Sequence, residues 1–206
     1  MEANQKLLRS LKEDPNAKHM LEICSEECQS GRMNTIVPIE SIDLSAVTLS
    51  PRFSVEQLRE DGSSKVRPID DFSRSGCNDA TVPTEKLVFE GLDTLLAATR
   101  AWRDSMPGAV RFWKSDIDSA YRRIGVSEEH RQFAWIVFVV GCVIFAAEHV
   151  GLPFGAVASV HWWNRIGELC SLPWARMGRL PLLWSAGALL CAIARRLLHI
   201  PALRWV

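Results

Sequence analysis

The sequence predicts an α+β domain in which helices pack on an antiparallel sheet. Three observations lead there. Apolar residues recur at helical spacing over 2–13, 17–29 and 89–104. A turn-forming stretch, Asp61-Gly62-Ser63-Ser64, precedes an extended run from Lys65 to Phe72, which is the pattern of a hairpin. Finally, the uncharged stretch Phe133 to Ala147 is rich in valine, isoleucine and phenylalanine, with Gly141 near its middle, and reads as two buried strands meeting at a turn near Val140-Gly141. With 48% hydrophobic and 23% charged residues, the 206-residue chain is able to bury a sizeable core, and global disorder is excluded.

Taken in order, the first helix carries Leu7, Leu8 and Leu11 on one side, and the second carries Met20, Leu21, Ile23 and Cys24. Pro15 and Asn16 separate them. Gly31 to Pro51 reads as loop with room for one strand. The residues Ser54 to Asp61 (SVEQLRED) predict a short helix before the hairpin turn. Pro68 has no N–H to donate, so the run that contains it belongs at an edge or terminal strand position. In the helix over 89–104, Leu92, Leu95, Leu96, Thr99 and Trp102 share one side. Phe112 to Ala120 is strand-like and turns helical at Ser119-Ala120-Tyr121. Gly151 to Leu169 opens as a glycine-bounded loop and ends as a helix.

Basic and acidic residues balance at 24 each, so no net basic signature for nucleic acid is present. The balance conceals a gradient: 5 basic and 8 acidic residues to Pro51, 13 and 14 from Arg52 to Arg131, 6 and 2 thereafter. The final stretch from Ser171 has no acidic residue. Its apolar run Leu180–Ala194, like Phe133–Ala147, is 15 residues long, whereas a membrane helix needs about 20. A small membrane-associated protein built on these two runs is thus the weaker reading of them. Six cysteines (Cys24, Cys28, Cys77, Cys142, Cys170, Cys191) show neither a CxxC pair nor a histidine at zinc spacing. The N-terminus has no apolar core of a signal peptide, so an intracellular setting, cytoplasmic or nuclear, is expected.

Chemistry concentrates at Lys114-Ser115-Asp116-Ile117-Asp118-Ser119-Ala120-Tyr121. A carboxylate at the end of a buried strand is what a polymerase needs to hold magnesium between attacking oxygen, leaving oxygen and triphosphate. An aromatic ring five residues on would lie beneath the sugar of an incoming nucleotide. A solvated strand end would have the same residues, so the flanking blocks matter. Lys65-Val66-Arg67-Pro68-Ile69-Asp70-Asp71-Phe72 with Asn78, then Asp116 to Tyr121, then Leu152-Pro153-Phe154-Gly155-Ala156-Val157-Ala158-Ser159 stand in fixed order. Together, residues 59–165 resemble the fingers and palm of a retroelement reverse transcriptase, an RNA-directed DNA polymerase.

The resemblance implies a partial right-hand polymerase. Residues 1–51 would form a helical N-terminal extension, 52–113 a fingers-like part, 114–170 a partial palm and 171–206 an unrelated apolar tail. Lys65 and Arg67 would reach the triphosphate, which a guanidinium fork binds bidentately. Asp116 would be the catalytic and metal-binding carboxylate, with the Ile117 carbonyl as a second metal ligand. Asp118 would bind no metal. Tyr121 would gate the sugar, and Pro153, Phe154 and Gly155 would support the templating base and nucleotide. Magnesium, a dNTP, and an RNA template with its DNA primer are the implied cofactor and partners, and no membrane is implied.

The family's third palm motif, an aromatic residue followed after one position by two aspartates, has no counterpart. No aspartate occurs after Asp118; beyond Arg131 the only carboxylates are Glu148 and Glu168, and neither matches. The reading is thus a fragment of a mobile element's polymerase, truncated before that motif and inactive as this chain. The alternative is a non-catalytic module that binds nucleic acid or nucleotide.

Overall fold

The computed structural model of the protein describes residues 2–87, 91–105 and 117–177. Helices α1 (Glu2–Ser10) and α2 (Ala17–Gln29) come first. The strands are β1 (Val37–Pro38), β2 (Leu49–Leu58), β3 (Ser64–Asp70), β4 (Trp135–Val140) and β5 (Val143–Glu148). Helices α3 (Cys77–Ala80) and α4 (Leu92–Ser105) lie between β3 and β4, and α5 (Val157–Met177) follows β5. The five strands form one mixed sheet in the order β1-β5-β4-β2-β3. All neighbours are antiparallel except β2 and β4, which run parallel with Leu49 opposite Trp135. The α+β class expected of the sequence is what the protein adopts.

The apolar run at β4 has a structural cause. Its alternate residues face two separate cores. Val137 packs with Leu7, Ile39, Leu49 and Ala146, against which Leu8 and Leu11 of α1 also rest. Ile136 and Phe138 pack on the other face with Cys24, Met33 and Ala147, beside Leu21 of α2. A central strand covered on both faces has no side that tolerates charge. The hairpin expected around Val140-Gly141 is present, with Val140 opposite Val143 and Gly141 at φ +61°. That conformation suits glycine in a two-residue turn. Phe138, 1% exposed, is the largest side chain of this core. Phe138→Ala is expected to destabilise the fold by about 3–5 kcal/mol, read as a lower urea midpoint with an unchanged slope.

One expectation needs correction. Ser54 to Asp61 is not a helix; Ser54–Leu58 is the outer half of β2 and the rest is turn. Glutamate, glutamine and leucine favour helix weakly, but the ladder from Arg52–Asp70 to Leu58–Ser64 engages this segment along its whole length. The turn is closed by Arg59 N–H donating to the Ser63 carbonyl at 2.8 Å. The Asp61 carboxylate accepts from both the Ser63 amide (2.9 Å) and hydroxyl (2.6 Å). Strand β3 is at the sheet edge, as Pro68 requires.

Strand β2 runs across Pro51, and α2 buries Met20 and Cys24 completely, so the N-terminal helices are part of the core rather than appended to it. The apolar positions Leu92, Leu95 and Leu96 of α4 are exposed among the described residues. Helix α5 continues through Met177, past the point where the sequence resemblance fades. Among the described residues no helix is long and apolar enough to cross a membrane; Leu180–Ala194 lies outside them.

Candidate functional site

The β2–β3 hairpin divides at its middle. Leu49 to Arg52 are buried within the sheet, whereas Glu56 to Lys65 project into solvent. Strand periodicity puts Lys65, Arg67 and Ile69 on one face, opposite Gln57, Val55 and Phe53. That face is exposed and mixes cations with apolar side chains. Arg67 Nε donates to Gln57 Oε1 at 2.6 Å, which orients its guanidinium along the hairpin. Lys65 and Arg67 also line an open hollow with Leu58, Arg59, Glu60 and Asp61.

At the base of the hairpin, the other two sequence blocks meet. Tyr121 sits in a 3-10 turn, Ala120–Arg123, entered through Ser119 (φ 58°) and Ala120 (φ 25°). Non-glycine residues occupy such backbone regions at a cost of about 1–3 kcal/mol each, and surrounding contacts must hold them there. The Tyr121 ring stands edge-on to Phe154 (centroids 5.0 Å apart) and to Trp163 of α5 (5.6 Å). Pro153 is buried and Phe154 exposed.

Asn78 joins the blocks. Its Nδ2 donates to the Gly155 carbonyl (3.0 Å), and its Oδ1 accepts from Val157 N–H (2.9 Å), so it caps α5 from a different element. Gly155, at φ +91°, lies so close to the Asp70 carbonyl that a Cβ would clash with it. Lys65 and Arg67 are five and three residues from Asp70 along β3, roughly 17 and 10 Å at strand rise.

Beneath this surface is a buried ionic network absent from the sequence expectations. Arg52 grips Asp70 bidentately, Nε to Oδ1 at 2.6 Å and Nη2 to Oδ2 at 3.0 Å, and its Nη1 donates to Cys24 Sγ at 2.9 Å. His149 Nε2 meets Asp70 Oδ2 at 2.9 Å, while Nδ1 meets Arg122 Nη1. Glu27 of α2 lies 3.0 Å from Arg122 Nη2 and 3.5 Å from Arg52 Nη1. The Glu27–Arg122 pair is close but not aligned as a hydrogen bond, so its attraction is Coulombic. Two arginines and two carboxylates cancel if His149 is neutral.

The surroundings make it so. Burial pushes the His149 pKa below its usual value, and the neighbouring arginine cations add to this against the attraction of Asp70. Since arginine only donates, Nδ1 must be the acceptor and Nε2–H the donor to Asp70. Burial alone would raise the Asp70 pKa, but the Arg52 charge and the hydrogen bonds outweigh it and hold the carboxyl well below the usual range. Burial lowers the Arg122 pKa, with Glu27 and Asp70 opposing.

Asp116 lies outside the described residues. Ile117 is exposed, and its carbonyl accepts from Ala120 N–H at 3.2 Å. The Asp118 carboxylate is taken by Arg123 Nη2 (2.6 Å) and Ser119 Oγ (3.0 Å). Among the described residues no group of acidic, histidine or cysteine side chains is arranged to hold a metal ion. The site residues that do come together are Tyr121 and the Pro153–Gly155 loop, which meets Tyr121 through Phe154 and Asn78 through the Gly155 carbonyl. Cys24, Glu27, Arg52 and His149 escaped sequence reasoning, because their partners are up to 79 residues apart, as for His149 and Asp70. No protein-family model matches the chain, and no curated protein matches it.

Proposed function

We propose that this chain is a fingers-and-palm fragment of a mobile element's reverse transcriptase, an RNA-directed DNA polymerase, which handles primer–template and dNTP without extending the primer. The observation that carries the reading is the meeting of Tyr121 with Phe154, 5.0 Å apart. These residues come from separate sequence blocks, and Asn78 of a third block holds the Phe154–Gly155 loop. The exposed hairpin face with Lys65 and Arg67 supplies cations for phosphate, and the Tyr121–Phe154 pair supplies an aromatic surface for a sugar or base.

The donor set does not fit a two-magnesium centre. Asp118 is engaged by Arg123, the Ile117 carbonyl already accepts a hydrogen bond, and no aspartate follows Asp118. Magnesium keeps its waters unless carboxylates and phosphates displace them. No chemical step is therefore assigned to the chain; its residues bind and orient. A non-catalytic nucleic-acid-binding module is the second reading, favoured by the same lack of later aspartates together with a complete hairpin.

Primer extension by the full chain on poly(rA)·oligo(dT), with magnesium or manganese, is expected to show no incorporation. Incorporation that Asp116→Ala abolishes would overturn the assignment of inactivity. Fluorescence anisotropy with labelled primer–template is expected to show salt-dependent binding, weakened by Arg67→Glu about five-fold or more, as removal of a phosphate contact requires. Absence of binding at low salt would remove both readings.

A further inference from the structure

The loop Gly151–Gly155, which presents Phe154, is pinned at both ends against backbone. A Cβ on Gly151 would lie 2.6 Å from the Arg122 carbonyl oxygen, and one on Gly155 would overlap the Asp70 carbonyl oxygen. Leu152 N–H donates to the Ile124 carbonyl at 2.7 Å, binding the first end to the turn that carries Tyr121. The same two residues, Arg122 and Asp70, send their side chains inward to one imidazole. His149 accepts from Arg122 at Nδ1 and donates to Asp70 at Nε2, and it is completely buried only two residues before Gly151. The anchors of the loop and the partners of the histidine are thus the same pair.

We propose that His149 is the positioning residue of the Tyr121–Phe154 pair. A rigid ring with its two nitrogens on opposite partners sets the separation of Arg122 from Asp70. That separation sets the two ends of the Gly151–Gly155 loop, and the loop sets the angle at which Phe154 meets Tyr121. Arg122 is the residue after Tyr121, so a movement of its guanidinium is carried directly to the turn. Glu27 of α2 supplies the charge that allows Arg122 to be buried beside Arg52. Helix α2 therefore belongs to the machinery that shapes the site. The inference rests on the proposed function only for what the aromatic pair faces, an incoming nucleotide; the positioning itself is a property of the fold.

Tyr121 is the only tyrosine in the chain, which makes the test specific. The full chain labelled with 3-fluorotyrosine gives one fluorine resonance, from Tyr121. In His149→Leu this resonance is expected to move or split at temperatures well below unfolding. His149→Gln is expected to restore it, because one amide both accepts from Arg122 and donates to Asp70. Leu7→Ala, which loosens the opposite face of the sheet, is expected to lower the melting temperature and leave the resonance in place. Should His149→Leu fail to fold, His149→Asn takes its part, since the shorter amide does not span both partners.

A resonance unmoved by either substitution, or moved as far by Leu7→Ala, would overturn the positioning role. The nucleotide reading is then read separately by adding dTTP with magnesium to the unsubstituted chain. A resonance that follows His149 but ignores dTTP upholds the positioning and removes the nucleotide. The reverse result upholds the nucleotide and removes the positioning.

Discussion

Asp70→Asn is expected to lower the stability of the fold by about 3–5 kcal/mol, the usual cost of removing one partner from a buried ion pair. Asp70 has a 5% exposed side chain and faces Arg52 at 3%. The amide keeps the shape but removes the closest counter-charge of the buried Arg52 guanidinium, leaving it Glu27 at 3.5 Å. A domain of this size has a total stability on the order of 5–15 kcal/mol, so the variant should be close to unfolded at ambient temperature. The urea midpoint measures this, with an unchanged slope marking a loss of stability rather than a change of denatured state. The double replacement Arg52→Met with Asp70→Leu should lose less than either single change, because two charges that must be desolvated are removed together. A loss under about 1 kcal/mol in Asp70→Asn would mean that the pair is not shielded from solvent as its burial indicates.

Acidification is expected to have the second large effect. His149 has a folded pKa below its ordinary 6.5, so the unfolded chain takes up this proton first. Its contribution is complete above pH 6.5 and is lost as the pH falls through the folded value. Asp70 has a folded pKa below its ordinary 3.8, so its contribution is complete above that value and is lost below it. Stability should therefore be level above about pH 6.5, decline below it as His149 takes up its proton, and fall under about pH 4 as Asp70 does, by up to about 1.4 kcal/mol per pH unit for each proton taken up. Thermal melts between pH 8 and 2 measure the curve. His149→Gln should flatten the limb that begins at pH 6.5 while leaving the acid limb below about pH 4. An unchanged upper limb in that variant would show that another group controls it.

The two effects come from one place, and that place was invisible to sequence reasoning. Arginine at 52 and 122, aspartate at 70 and histidine at 149 are ordinary polar residues in the chain. A charge is expected at the surface, since a buried one is costly without a partner. Only the register of β2 against β3, and the return of the chain after β5, bring these residues within hydrogen-bond distance. The same holds for Ser54 to Leu58, where local preference indicated a helix. There the edge ladder, whose partners are supplied by residues beyond the turn, overrode a preference worth a few tenths of a kcal/mol per residue.

Where the cause is local, the sequence was sufficient. Helix α2 is found over the residues that its spacing marks, the Val140–Val143 turn follows from Gly141, and Pro68 places β3 at an edge. The motif order brought Tyr121, Phe154, Gly155 and Asn78 into consideration together, although only the fold shows Asn78 capping α5 while holding the Gly155 carbonyl. Periodicity and turn chemistry act over a few residues and are therefore written in the chain. What holds Tyr121 against Phe154 acts between residues far apart in sequence, through one buried histidine, and it exists only once the sheet has formed.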